Sequence, residues 1–278
     1  MELWLLGPVE VSFEGRQLDV GPPQLRLVLA VLAAEAGSPV GVESLIGRVW
    51  DDPPEHPRRA LQMYLSRIRS LVNGAEAPGR SRVSVVRRSG GYLLDVDPGR
   101  VDVHRFQRLI GEARDRERPD SERVVLLGQA LELWRGRPLA DLPGRWAERV
   151  RQGWQQQYLD ATVAWALAHL RVGDPGAVLP RLGELVGEHP LVESLVAAYM
   201  HALYVAGRPA EALEHYGTVR GRLAEELGTD PSAELQEMHR QILSAGPALG
   251  PPTPAAAALQ LVPRQLPAPP HLFTGRAH

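Results

Sequence analysis

Residues 57 to 96 narrow the folds open to this chain more than any other stretch. PRRALQMYLSRIRSLV, starting at Pro57, places Leu61, Tyr64 or Leu65, Ile68, and Leu71 or Val72 at i, i+3/i+4, i+7 spacing, which predicts a helix with one buried face. Arg59, Gln62, Met63, Ser66, Arg67 and Ser70 are left facing outward. The run that follows, SRVSVVRRSGGYLLDV, predicts a hairpin over Val83 to Val96. Arg87 and Arg88 precede its Ser89-Gly90-Gly91 turn, where glycine supplies the positive φ of a tight reversal. From Arg58 to Arg88 there are eight arginines and one acid, Glu76, in a chain of net charge −2. Residues 1 to 97 as a whole hold 11 arginines against 12 acids, so the basic surface is confined to one face. Such confinement suits a surface that meets a polyanion. The bland alternative is a solvated helix face.

The rest of the composition works mainly by exclusion. A chain of 278 residues, 44% hydrophobic, can bury substantial cores and favours two domains over one. It contains no cysteine, which removes disulfides, thiolate zinc sites and cysteine nucleophiles. All 31 basic residues are arginine, which removes a Walker A lysine and a Schiff-base lysine. That usage matches the codon bias of a GC-rich genome. No apolar run approaches 18 residues and Met1 leads straight into strand-like sequence, so the expectation is a cytoplasmic protein with no membrane segment.

The basic helix is the third of an ordered series. Residues 2 to 6, 9 to 13 and about 17 to 20 predict a small sheet around Gly7-Pro8 and Glu14-Gly15. Pro22-Pro23 opens a core helix, QLRLVLAVLAAEAG, that stops at Gly37. VESLIGRVW is a second, shorter helix, with Leu45, Ile46, Val49 and Trp50 available for burial, and Asp51-Asp52-Pro53-Pro54 breaks it. The outward face of the third helix then holds base-reading chemistry as well as charge. Arginine can pair with guanine in a bidentate way, glutamine with adenine, and a methionine can touch a thymine methyl. Arg58 and Arg69 flank this face and suit phosphate contacts, while the hairpin would be a wing whose Arg87 and Arg88 reach a minor groove or backbone.

From Val101 the period becomes helical and stays so. Seven segments beginning at about residues 102, 121, 146, 177, 191, 209 and 232 each carry an apolar stripe bounded by Gly, Pro or Asp. Gly173-Asp174-Pro175 and Gly207-Arg208-Pro209 recur at an offset of 34, as do Ala168 with Ala202 and Leu179 with Leu213. That is the period of a tetratricopeptide repeat, an array that offers a binding surface and no catalytic pocket.

Sheet, three helices and hairpin, in that order, resemble the OmpR-type winged helix-turn-helix. LGPVEV, the helix containing Arg26, LIGRVW, LQMYLSRIRSLV and GGYLLDV are similar to the version found in the SARP family, the Streptomyces antibiotic regulatory proteins. VDVHRFQRL, ALELWRGRPLADLP, EHPLVE and AGRPAEALEHYGTVRGRLAEELGTDPSAELQEMHRQIL resemble the bacterial transcriptional activation domain of the same family. The resemblance implies a multidomain, mainly α protein: a winged helix-turn-helix (α+β) over residues 1–97 and an all-α, tetratricopeptide-like domain over 98–245. It implies that the third helix is the recognition helix, with Arg59, Gln62, Met63, Ser66 and Arg67 facing bases, and Tyr64, Arg69, Arg87 and Arg88 at phosphate or groove. For Tyr64 the alternative is partial core packing. It further implies a transcriptional activator that binds direct repeats in double-stranded promoter DNA of antibiotic biosynthetic genes as a homodimer and recruits RNA polymerase holoenzyme, sigma factor included. A tetratricopeptide-like interaction scaffold with a basic adaptor domain is the competing function.

Little else in the chain suggests chemistry. The nine histidines are scattered, and His169, His201, His215 and His239 read as helix-surface or interhelical residues, so no metal and no cofactor is expected. Trp134, Trp146, Trp154 and Trp165 read as helix packing. There is no nucleophile elbow, and no enzyme is expected. With the DNA-binding unit expected to start at residue 1, no receiver domain is expected ahead of it, and the expected kinship to phosphorelay proteins is one of fold. Residues 246–278 form a Pro/Ala-rich linker, and VPRQLPAPPHLFTGRAH resembles the lead-in to an NB-ARC-type nucleotide-binding domain in larger SARP regulators. The expectation is a shortened form that binds no ATP at a P-loop.

Overall fold

An antiparallel meander begins the chain in the computed structural model, which describes residues 1–75, 83–88 and 90–244. Strands β1 (Glu2–Trp4), β2 (Glu10–Phe13) and β3 (Arg16–Leu18) pair in sequence order, with Leu3 opposite Val11 and Val11 opposite Leu18. Alternation puts Leu3 and Val11 inward, and the β2–β3 reversal uses Glu14 and Gly15 at φ of 48° and 79°. Helix α1 (Pro23–Ala34) has a proline in its first turn and buries Leu25 and every residue from Leu27 to Ala33. Its sequence is apolar on almost every side, and it is enclosed accordingly.

The helix-turn-helix follows. Strand β4 (Val40–Gly41) leads directly into α2 (Val42–Val49), which buries Leu45, Ile46 and Val49. Trp50 beyond it is half-buried. The acidic Pro-Pro segment then turns the chain into α3 (Pro57–Ala75). Strands β5 (Ser84–Arg88) and β6 (Gly91–Asp95) form the hairpin, and the second sheet has the order β4-β6-β5, all antiparallel. Strand β4 has no counterpart among the expected strands, because two residues are too short to display a period.

Beyond a short 3₁₀ turn at Pro98–Arg100 the described chain is helical. Its helices are α4 (Asp102–Ala113), α5 (Asp120–Glu132), α6 (Arg145–Arg171), α7 (Leu179–Glu188), α8 (Glu193–Val205), α9 (Pro209–Arg222) and α10 (Ala233–Leu243). They coincide with the seven expected stripes, except that the sixth ends in a π-turn, Leu223–Leu227, closed by Gly228 at φ 66°. Gly173 and Gly207, 34 residues apart, end α6 and α8 in the left-handed region, and α8 packs against α6, α7, α9 and α10. No helix among the described residues is long and apolar enough to cross a membrane.

Two apolar cores divide the molecule, and neither stops where the sequence changes character. The first runs from Met1 through the winged-helix unit into α4, α5 and the first half of α6, as far as Ala161. The second gathers the rest of α6 with α7 to α10. Helix α6, 27 residues and roughly 40 Å long, belongs to both. Trp146 and Trp154 are buried in the first core, where Trp134 packs edge-on to Phe106 at 5.5 Å. The first core passes without a break across the 3₁₀ turn at Pro98–Arg100.

Polar bonds follow the same course. The buried Asp102 carboxylate, at the start of α4, accepts from the backbone N–H groups of Leu5, Leu6 and Val103 at 2.7–2.9 Å. The segment between α5 and α6 returns to the same place: Arg135 N–H donates to the Leu6 carbonyl at 2.8 Å, and Leu139 N–H to that of Leu5 at 3.1 Å. Arg26 pairs with Asp141, whose other oxygen accepts from Val9 N–H at 2.9 Å. Arg135 pairs with Glu10 and lies over the Trp4 ring, 4.5 Å from its centroid. Residues 246–278, with the expected linker and lead-in, lie outside the described residues.

Candidate nucleic-acid interface

The apolar spacing of α3 fixes how it is turned. Leu61, Leu65, Ile68 and Val72 are at most 2% exposed, so the helix is anchored along one stripe against α1, α2 and β5. Of the two alternatives left open, Leu65 and Val72 are the fully buried ones, while Tyr64 and Leu71 are half-buried. The opposite side presents Arg58, Arg59, Gln62, Met63, Ser66, Arg67 and Ser70, all exposed. Met63 is 46% exposed, a large apolar group held in water with no packing role.

The wing adds a second basic element. Arg87 pairs in register with Tyr92, and Arg88 with Gly91, so both arginines sit at the tip of the hairpin, exposed. Among the described residues, Arg59, Arg67, Arg87 and Arg88 have no acid within ion-pair distance. Their charge is directed to solvent. Arg80 and Arg82, which complete the basic run, and Ser89 of the turn lie outside the described residues.

Three expected contact residues already have partners. Arg58, at the start of α3, donates to Glu43 of α2 at 2.6 Å and 3.1 Å, an exposed pair that DNA could exchange at small cost. Tyr64 leans on Trp50, ring centroids 6.1 Å apart, so the partial-packing alternative describes where its ring lies. Arg69 donates from Nε to the Val85 carbonyl at 2.9 Å and lies over the Tyr92 ring, 5.8 Å from its centroid. Sequence spacing marked Arg69 as a flank of the reading face. Its bonds instead run sideways to the wing.

The position of the wing depends on one close approach. A Cβ built on Gly91 would stand 2.2 Å from the Val40 carbonyl oxygen, because β4 and β6 meet there backbone to backbone. Gly91→Ala should therefore separate β4 from β6, cost about 1–3 kcal/mol and displace the wing. Chemical denaturation combined with amide exchange of Tyr92 and Val40 would show it. Unchanged exchange at both positions would contradict the packing described.

A basic helix and wing joined to an all-helical domain point to a DNA-binding transcription regulator. Residues 15–94 match the family model described as transcriptional regulatory protein, C terminal, and residues 101–243 match that of the bacterial transcriptional activator domain. The chain belongs to the SARP family of regulators, in which an OmpR-type winged helix precedes that activator domain. Neither matched domain is catalytic. It is 35% identical over 275 residues to the regulatory protein DnrI of Streptomyces peucetius, covering 94% of this chain and 100% of DnrI. It is 38% identical to the regulatory protein AfsR of Streptomyces coelicolor across 98% of its own length, although it spans only 27% of AfsR. Among solved structures, that of Mycobacterium tuberculosis EmbR in complex with a low-affinity phosphopeptide superposes with a TM-score of 0.79 at 30% identity, over 92% of this chain and 67% of that one.

Proposed function

We propose that this regulator activates transcription by reading direct repeats in promoters of antibiotic biosynthetic genes and recruiting RNA polymerase holoenzyme, sigma factor included, through its helical domain. The observation that carries the proposal is the exposed set Arg59, Gln62, Met63, Ser66 and Arg67 on a helix whose opposite stripe is buried, beside a wing that ends in Arg87 and Arg88. This set combines a guanine reader, an adenine reader and a methyl contact with flanking cations for phosphate, among them Arg58. Tyr64 and Arg69 border the face. Two protomers bound in tandem would lie about 10–10.5 bp apart, one helical turn, on the same side of the duplex.

Fluorescence anisotropy against promoter-derived and random duplexes at two salt concentrations tests the reading. Arg67→Ala should cost about 1–3 kcal/mol and relax base preference, whereas Arg88→Ala should weaken binding to all sequences alike and reduce the salt slope by about 1. If both variants bound like the parent, the assigned face would be wrong. No retention of DNA by the parent at either salt would leave the scaffold function standing instead.

A further inference from the structure

We infer that Arg69 is a positioning residue: it fixes the wing to the recognition helix and so sets where Arg87 and Arg88 meet DNA, without touching phosphate itself. The inference rests on the reading of α3 and the wing proposed above. On α3, position 69 is four residues after Leu65 and three before Val72, both buried, so it lies at the edge of the packed stripe, on the side that carries Gln62 and Ser66 and across the helix from Arg67. Its side chain is half-buried, unlike those of the exposed readers.

The wing needs such a tie. Strand β5 is the edge of the sheet order β4-β6-β5, and an edge strand leaves alternate backbone groups without ladder partners. On the far side, β6 pairs with just two residues of β4, Val40 and Gly41, beside one bond from Gly37 N–H to the Leu94 carbonyl at 3.5 Å. Arg69 grips both strands of the hairpin at once, β5 through the Val85 carbonyl and β6 through the face of Tyr92, which is 8% exposed. Val85 lies two residues before Arg87, and Tyr92 is the register partner of Arg87, so the grip is applied immediately behind the basic tip. A planar guanidinium can donate from Nε and lie over a ring together. A lysine ammonium has the charge without that geometry.

The two roles differ in what lysine can rescue. Arg69→Lys and Arg69→Gln, each in the full chain, are compared by anisotropy on a fluorescein-labelled mixed-sequence duplex about three helical turns long, across a salt series. For a positioning residue, both variants lose roughly tenfold in affinity, Arg69→Lys included although it keeps the charge, both flatten the salt slope as the wing's contacts weaken, and the loss vanishes when Arg87 and Arg88 are already alanine. Without DNA, amide exchange in β5 and β6 quickens in Arg69→Lys while that in α3 does not change. A lysine variant that binds like the parent, or a loss that adds fully to that of the Arg87→Ala/Arg88→Ala chain, overturns the inference in favour of direct phosphate contact. If the wing variant alone binds like the parent, the wing is no DNA contact, and the underlying reading fails first. Should Arg69→Gln fold poorly, Arg69→Lys and Tyr92→Leu carry the same comparison.

Discussion

An Asp102→Ala chain should unfold at a much lower urea concentration than its parent, with a loss of about 3–9 kcal/mol, because three buried N–H donors would be orphaned at about 1–3 kcal/mol each. Asp102→Asn should cost less, about 1–3 kcal/mol: one oxygen remains to accept, but the amide nitrogen faces donors it cannot bond. The pH dependence is the more diagnostic result. Burial pushes the Asp102 carboxyl from an ordinary 3.8 up to about 6, against the downward pull of the Leu6, Leu5 and Val103 N–H groups and of Arg135. The folded chain then holds a proton that the unfolded chain has released between about pH 4 and 6, so this residue's contribution to stability falls as pH rises through that window. Relative to Asp102→Asn, the parent should gain up to about 3 kcal/mol as pH is lowered from 7 to 4. A difference that moves the opposite way would mean that the three N–H donors outweigh burial.

The second large effect concerns the chain cut after Asp97. Sequence marks residues 1–97 as a unit, yet Leu5 and Leu6, both 0% exposed, share a core with α4 and bond through their backbones to Asp102 and to the 135–142 segment. Removing those elements bares two leucines, worth about 1.5–3 kcal/mol each, and unpairs the carbonyls of Leu5, Leu6 and Gly7 and the N–H groups bonded to Asp102. Leu3 also loses its parallel bridge to Val101. The sum approaches the whole stability of a small domain. The fragment should accordingly show little cooperative melting by circular dichroism at 25 °C and bind DNA far more weakly than the full chain. A fragment that melted as sharply as its parent would show the shared core to be dispensable.

What the sequence disclosed, and what it did not, follows the range of the interactions involved. The α3 stripe was legible because Leu61, Leu65, Ile68 and Val72 repeat within one helix, and the glycines at 173 and 207 because both sit where a helix must stop. Asp102 was opaque: an acid in the first turn of a helix is ordinary helix chemistry, and its partners lie nearly a hundred residues earlier. The clasp formed by Arg135, Leu139 and Asp141 is irregular backbone without a period. Arg69 shows how far local patterns reach. Its place on the wheel was readable, but whether it turns toward phosphate or toward Val85 is decided by a strand that folds back beside it.

A shared core also has a mechanical meaning. Since α4, α5 and half of α6 are packed into the first core with the winged-helix unit, the DNA binding proposed above would have the helical arm leave the duplex in one direction, without a free swivel. On tandem sites, an insertion of about 5 bp would turn the second protomer's arm to the opposite side of the duplex, and a stiff arm has no slack with which to recover the lost alignment. Spacing in the promoter would then be gauged by the rigidity of the protein, and whole turns of added DNA would be tolerated where half turns are not.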